Sequence, residues 1–277
     1  MGDEAVAKRL KREEYLALAP SEFRAFFRQR IHILVEKNLY GAVLNDKKIT
    51  AGAIEMANEL VSIWLEKGLP EDAPDFLWGR EAIRTAENWA RGTKPDLFHH
   101  RPYQLLPSEV EAFDRVVRER RSVRAWSQRY VADETVDLLL EAGIWAANSC
   151  NQQAVRYIVV REENAPRLVP VNIPYPGPVH ILILQDERNY NANSIMPVRN
   201  RLLDAGAVAQ NIVLTAHAHG LAGVWLTYSD QAIRKLRDHF QLEDYLKIIT
   251  LVDVGYPGYA PPPVARMGLG DILLRRI

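Results

Sequence analysis

The spacing of apolar residues along the chain changes character near residue 107. Before that point, apolar side chains recur every three or four positions and no run alternates apolar with polar residues, which predicts helices only. Helices are predicted over residues 21–38, from behind Thr50 to Gly68, and over residues 81–90. Residues 91–107 are rich in proline and lack this period, so we interpret them as an extended connection.

After residue 107, helical segments alternate with short runs rich in β-branched residues, a pattern typical of an α+β chain. Strands are predicted at residues 155–160, 179–184, 223–227 and 248–254. Helices are predicted from a capping box of Ser108 and Glu111, from a cap at Asp133, over 201–219 and over 230–240. The buried positions predicted for the first two include Val110, Phe113, Val116, Val117 and Ile144. We therefore expect an all-helical region, residues 1–106, followed by an α+β domain, residues 107–277.

The composition indicates a globular protein with a sizeable core, because 48% of the 277 residues are hydrophobic and 25% are charged. The 35 basic and 35 acidic residues cancel, so no overall positive field favours nucleic acid or an anionic membrane. A single cysteine, Cys150, excludes an internal disulfide and fits a reducing compartment. The first residues lack the apolar core of a secretory signal, so we expect a cytoplasmic protein without a membrane partner.

The densest charge in the chain is a run of arginines between residues 118 and 129. Such a run is usually a solvated face. Here, however, Arg120, Ser122 and Arg124 alternate just after a helix, and in an extended backbone their side chains project to the same side. Two guanidinium groups and a hydroxyl arranged in this way would bind a phosphate dianion.

A second candidate is the polar segment 148–153, which contains Asn148, Ser149, Asn151 and Gln153 and lies between a predicted helix and a strand. Asn and Ser are common in turns, so the segment could be an ordinary polar loop. Side-chain amides also offer donor and acceptor together, which suits the edge of a heterocycle such as the flavin pyrimidine ring. Near the C-terminus, a stiff proline run is followed by one further cation, Arg266.

Taken in order, these segments resemble the FMN-dependent nitroreductase family over roughly residues 108–277. The likeness is carried by RRSVRAW at 120–126, ANSCNQQ at 147–153 running into RYIVV at 156–160, DAGAVAQN at 204–211, AHAHGL at 216–221 and Arg266. The sequence departs from the family pattern at Asn148, at Ala154 and Val155, and at Thr227 and Tyr228. The helical region before residue 107 is longer than the family usually carries.

The resemblance implies an α+β fold with a central, mostly antiparallel sheet flanked by helices, in an intertwined homodimer with FMN at the interface. By this likeness Arg120, Ser122, Arg124 and Arg266 would hold the phosphate and ribityl chain, and Arg121 would lie along the isoalloxazine edge. Asn148, Ser149 and Asn151 would come from the partner subunit, Gln153 would meet the pyrimidine side, and the backbone at Thr227 and Tyr228 would pass flavin N5. No metal site is expected.

The function implied is transfer of electrons from NAD(P)H through flavin N5 to a small electron-poor acceptor of the nitro or quinone type, in a ping-pong cycle. Two alternatives stay open at this point. One is a specialised dehydrogenase or a flavin-consuming enzyme on the same fold. The other is a non-catalytic flavin-binding scaffold, with a pocket altered at Asn148 and Val155 and with helices that dock a partner.

Overall fold

In a computed structural model, the protein is described over residues 10–97, 104–170, 175–193 and 199–277. The predicted connection between the two regions therefore lies partly outside the described residues, at 98–103. No helix in the described part of the chain is both long enough and apolar enough to cross a membrane.

The N-terminal region is all-helical, as predicted. Its helices are α1 (Arg12–Ala17), α2 (Pro20–Arg30), α3 (Lys37–Leu44), α4 (Ala51–Glu66) and α5 (Pro74–Ala90), with a π-helical segment, Ile31–Glu36, joining α2 to α3. The predicted helix ending at Asn38 thus continues to Leu44, and Asn38 donates a hydrogen bond back to the Leu34 carbonyl oxygen (3.0 Å) instead of ending it. Thr50 precedes α4 as predicted.

Aromatic packing forms the core of the helical region. Phe27, Trp64 and Phe76 pack on one another: the Phe27 ring centroid lies 4.9 Å from Trp64 and 6.2 Å from Phe76, and Trp64 lies 5.1 Å from Phe76. Phe23, Phe27 and Trp64 are fully buried. The same core includes Ala192, which belongs to the second region, so the helices pack on the rest of the protein and do not form a separate body.

The second region contains one antiparallel sheet of four strands in the order β1-β2-β4-β3. The strands are β1 (Val155–Arg161), β2 (Val179–Asp186), β3 (Ala222–Leu226) and β4 (Leu246–Gly255), each within two residues of its prediction. The helices are α6 (Pro107–Glu119), α7 (Asp133–Ile144), α8 (Arg199–Ala218), α9 (Asp230–Phe240) and α10 (Leu269–Ile272). Strand β2 is buried along its whole length because α7 and α8 cover one face and α9 the other.

Two predictions for α6 are wrong. The helix is capped two residues earlier than predicted: Leu106 is the N-cap and donates its backbone N–H to the Glu109 carboxylate (2.7 Å). Its apolar face is also not buried among the described residues, with Phe113 exposed at 58%. The hydrophobic pattern therefore marks a face that this chain leaves uncovered.

In α7 the predicted positions are partly wrong. Asp133 is the first helical residue and not the cap, and it pairs with Arg161 of β1. Val136, Leu139 and Gly143 are buried as predicted, whereas Ile144 is exposed at 62%. Ile144 and the neighbouring Trp145 therefore add to the uncovered apolar surface of this region.

Candidate active site

The arginine segment after α6 runs along the β3 edge of the sheet. Ser122 forms an isolated parallel bridge with Gly223 of β3, which anchors the segment in an extended conformation. The Val123 side chain is buried beneath it, and Arg124 is exposed. The predicted alternation is therefore present, with Val123 facing inward between the two polar positions.

Cations from separate segments come together at this edge. Burial lowers the pKa of the Arg120 guanidinium, and the positive charges of Arg266 and Arg121 lower it further. No carboxylate hydrogen-bonds to Arg120 in the described part of the chain, although it is only partly exposed. Because like charges repel, an anion between the guanidinium groups would be bound favourably, and a phosphate has the charge and the acceptor oxygens for it.

Arg121 is held differently. Its Nη1 donates to the carbonyl oxygens of Arg118 (2.6 Å) and Arg120 (3.0 Å), while its buried Nε has no partner among the described residues. Arg124 Nη1 makes one long contact, 3.4 Å, with the Ser122 carbonyl oxygen. Arg266 donates to its neighbour Ala265. The guanidinium groups thus keep most of their donors available for a ligand.

His217, near the end of α8, belongs to the same cluster. Burial lowers its pKa, Glu119 opposes this shift, and the positive charges of Arg120 and Arg121 add to it. The imidazole is therefore held in its neutral form beside the cations. This electrostatic influence places Arg120 and Arg121 near the C-terminal end of α8.

The polar segment 148–153 forms a tight loop before β1. Cys150, Asn151 and Gln153 adopt left-handed backbone conformations, with φ of 50°, 54° and 50°. Such angles are unfavourable for residues other than glycine and need support from surrounding contacts. The support comes partly from inside the loop, where the Gln153 N–H donates to Asn148 Oδ1 (3.1 Å) and Gln153 Nε2 to Asn151 Oδ1 (2.8 Å).

The beginning of α8 fixes the other side of this loop. Asp204 Oδ1 accepts hydrogen bonds from the Ser149 N–H (3.1 Å) and hydroxyl (2.9 Å), and Asn200 Nδ2 donates to Ser149 Oγ (3.0 Å). The second oxygen of Asp204 accepts from the Tyr190 hydroxyl (2.8 Å). Ser149 therefore shapes the loop, and its side chain is already engaged.

Three contributors to this loop were missed from the sequence. Gln152 is buried and donates its side-chain amide to the Asn189 carbonyl oxygen (3.2 Å). Asn189 in turn donates to the carbonyl oxygens of Gln152 and Gln153, both at 3.3 Å. Arg28, from the helical region, donates to the carbonyl oxygens of Asn151 and Gln152. No local sequence signal identifies them, because each contact joins positions more than 30 residues apart.

The loop borders a cavity of about 190 Å³ at the end of α7. Gly143, Asn148, Gln153 and Tyr157 are among its lining residues. The Tyr157 hydroxyl is buried without a hydrogen-bond partner in the described residues, and burial raises its pKa to about 12. A neutral phenol with an unsatisfied hydroxyl can donate to a ligand oxygen.

Thr227 and Tyr228 follow β3 and differ in direction. Thr227 is exposed. The Tyr228 ring packs against the core cluster that contains Leu236 and Leu251, and its buried hydroxyl has no partner among the described residues. Burial raises the Tyr228 pKa, and the charge of Asp253 adds to the shift. The Tyr228 side chain therefore faces the core, and Tyr228 can present its backbone to a ligand.

The two groups of predicted site residues lie at opposite ends of α8. The 148–153 loop is hydrogen-bonded to Asp204, and Arg120 and Arg121 are near enough to His217 to influence its pKa. At 1.5 Å per residue, Asp204 and His217 are about 20 Å apart along the helix.

Comparisons with known proteins agree with this architecture. The sequence model of the Nitroreductase family matches residues 117–173 and 167–256 of this chain. A Methanothermobacter thermautotrophicus protein described as an NADH dehydrogenase/NAD(P)H nitroreductase is 26% identical over 152 residues, which cover 52% of this chain and 77% of that protein. An Archaeoglobus fulgidus protein of the same description is 25% identical over 150 residues, 52% of this chain and 84% of that one.

A solved structure is similar as well. The crystal structure of a nitroreductase in complex with FMN from Desulfovibrio desulfuricans superposes with a TM-score of 0.52 at 29% sequence identity. The match covers 63% of this chain and 99% of the other. The matched part of this chain thus corresponds to nearly the whole of that protein.

Proposed function

Since this chain belongs to the nitroreductase family, we propose that it is a flavoenzyme that transfers electrons from NAD(P)H by way of FMN to a small electron-poor acceptor of the nitro or quinone type. The observation that carries the proposal is the partly buried Arg120, which lies beside Arg266 and Arg121 with no carboxylate hydrogen-bonded to it in the described residues. Such a cluster favours an anion, and the FMN phosphate would supply one.

The residues present fit the cofactor. Arg120 and Arg266 would bind the phosphate, with Ser122 and Arg124 toward the ribityl chain, and Arg121 has an unpartnered Nε for the isoalloxazine edge. Asn148, Ser149, Asn151 and Gln153 form the loop that would meet the pyrimidine side, and the Thr227–Tyr228 backbone would pass N5. The bound FMN would supply hydride and electron transfer.

The protein's own task in this chemistry is electrostatic and spatial. The fixed cations lower the free energy of a developing negative charge on the cofactor without having to reorganise. No protein nucleophile is required, and a ping-pong order follows if donor and acceptor use the same site in turn. The lone Cys150 and this redox chemistry fit the reducing conditions of the cytoplasm.

A homodimer would complete the site. Each chain carries both the loop and the arginine cluster, about 20 Å apart along α8, so a two-fold partner can bring its loop to the other chain's arginines. The uncovered apolar surface that this dimer would bury includes Phe113 on α6, Ile144 and Trp145 after α7, and Leu274 in the exposed C-terminal segment. The exposed area at these positions supports the dimer.

Phe113→Asp is expected to convert the dimer to a monomer, because it places an unpaired charge on the apolar face of α6 that the partner would cover. Sedimentation velocity at low micromolar concentration measures the change. Arg115→Asp is the matched control, since residue 115 lies on the opposite side of the helix. A Phe113→Asp protein that sediments as the wild type would show that α6 is not in the interface.

Arg124→Ala is expected to weaken FMN binding by about one to two orders of magnitude, the size of a lost charge-assisted contact of roughly 1.5–3 kcal/mol. Titration of the apoprotein with FMN, followed by the quenching of flavin fluorescence, measures the affinity. Arg118→Ala removes an equal charge from the exposed end of α6 and should change the affinity little. Equal losses in the two variants would refute a specific role for Arg124.

A further inference from the structure

Arg28 of α2 crosses from the helical region to the 148–153 loop. Its side chain is buried, with 5% of the residue exposed. Nε donates to the Asn151 carbonyl oxygen at 3.1 Å, and Nη2 donates to the Gln152 carbonyl oxygen at 2.7 Å. One planar guanidinium group therefore donates hydrogen bonds to two successive carbonyl groups of the loop.

Asp75 of α5 accepts a hydrogen bond from the Nη1 of Arg28, the nitrogen that is not bonded to the loop. Its Oδ2 accepts from Arg28 Nη1 at 2.9 Å, and the same carboxylate accepts two hydrogen bonds from Arg24, at 2.7 and 2.9 Å. Burial lowers the pKa of Arg28 to about 10, and the charge of Asp75 opposes that shift, so Arg28 stays charged at neutral pH. The buried cation is thus paired on one side and directed at the loop on the other.

The loop depends on such support. Asn151 and Gln153 have φ of 54° and 50°, and Cys150 between Ser149 and Asn151 has φ of 50°. These left-handed conformations are unfavourable, and they persist only where neighbouring groups hold them. Ser149 is held by Asp204 of α8, whereas the carbonyl groups of residues 151 and 152 are held by Arg28.

We propose that Arg28 is a positioning residue for the flavin site: by holding the carbonyl groups of Asn151 and Gln152, it fixes the loop in the conformation that presents Asn151 and Gln153 to the pyrimidine edge of FMN. This inference rests on the proposed function. The Arg28 side chain bonds to backbone carbonyl groups of the loop, so its proposed effect on FMN acts through the loop. The helical region is then part of the cofactor site, because it supplies the contact that shapes the loop.

The test compares Arg28→Met with Arg30→Met. Arg30 is a second buried arginine of the same helix, and it donates to Gln29 and to the Ala192 carbonyl oxygen (3.2 Å), both of which lie outside the 148–153 loop. Two properties are measured: the dissociation constant for FMN, and the hydrogen–deuterium exchange of the 148–153 amides in the apoprotein. Arg28→Met should weaken FMN binding about tenfold to a hundredfold and should speed exchange in the loop.

A chemical rescue separates positioning from a loss of folding. Guanidinium chloride at millimolar concentration, far below denaturing levels, should restore part of the FMN affinity of an Arg28→Ala variant by occupying the vacated space, and it should not improve Arg30→Met. Arg28→Lys keeps the charge for Asp75 but is shorter and lacks the planar guanidinium group that bonds Asp75 and both loop carbonyl groups in one geometry, so it should fold and still bind FMN more weakly than the wild type.

The outcomes are distinguishable. A wild-type protein that binds no FMN refutes the proposed function, and the exchange measurement then still decides whether Arg28 orders the loop. A wild-type protein that binds FMN, together with an Arg28→Met variant of equal affinity and unchanged exchange, overturns the inference. Equal losses in the Arg28 and Arg30 variants without rescue by guanidinium would also overturn it, because they indicate general destabilisation.

Discussion

The double variant Arg120→Met, Arg266→Met is expected to lose FMN almost completely. The two guanidinium groups come from separate segments, and each raises the electrostatic cost of the other unless an anion lies between them. Losing two charge-assisted contacts of roughly 1.5–3 kcal/mol each corresponds to about a hundredfold to ten-thousandfold weaker binding. Equilibrium dialysis against FMN measures the loss.

The apoprotein of this double variant should be at least as heat-stable as the wild type, because the substitutions remove a repulsion between like charges. A control with the same change in net charge is Arg118→Met, Arg275→Met, at two exposed positions. If the control loses FMN as strongly as the cluster variant, overall charge explains binding, and the assignment of a phosphate site to Arg120 and Arg266 is refuted.

Removing residues 1–105 is expected to leave a protein that aggregates or that melts at a temperature lower by about 10 °C or more. The deletion would take away Arg28, so that the Asn151 carbonyl group loses its bond to Arg28 Nε and the Gln152 carbonyl group keeps the longer bond from Asn189 (3.3 Å). It would also uncover Ala192, which is fully buried, and remove the Ser21 hydroxyl that Arg188 contacts at 3.2 Å. Lost buried hydrogen bonds cost roughly 1–3 kcal/mol each.

Differential scanning fluorimetry and size-exclusion chromatography with absorbance detection at a flavin wavelength measure this outcome. We further propose that the boundary near residue 106 separates two segments of sequence and not two independent folding units, since the aromatic core of the helices includes Ala192. A truncated protein that remains dimeric, melts as the full chain does and retains FMN would show that the helical region is an independent module.

The strands could be predicted closely because each is a short, mostly apolar run between turn-forming segments; β1, β2 and β4 are rich in β-branched residues, and β3 combines Val224 with Trp225. Helix α9 begins and ends at the predicted residues, with the Ser229 hydroxyl accepting from the Ala232 N–H at 3.2 Å. These elements are specified locally. The hydrophobic period of α6 is equally clear, but such a period marks an apolar face without indicating what covers it. Within this chain the face is left open, and Phe113 on it is exposed.

The candidate site was predictable in part for a similar reason. Arg120, Ser122 and Arg124 are close in sequence, so their alternation could be seen from the chain alone. The hydrogen bond from Arg28 to the Asn151 carbonyl oxygen could not be predicted, because the two residues are 123 positions apart and a buried arginine in a helix has no distinguishing local pattern. The direction of the Tyr228 ring likewise depends on packing against α9 and β4.

The visible absorption spectrum of the purified protein, recorded anaerobically before and after addition of NADPH or NADH, decides whether this chain is a flavin-dependent oxidoreductase. We expect a yellow protein, or a colourless one that takes up added FMN to about one per chain, whose oxidised-flavin band is bleached by a nicotinamide and restored by a nitro or quinone acceptor. A protein that does not bind FMN, or that binds it and is not reduced by either nicotinamide, would refute the proposed function.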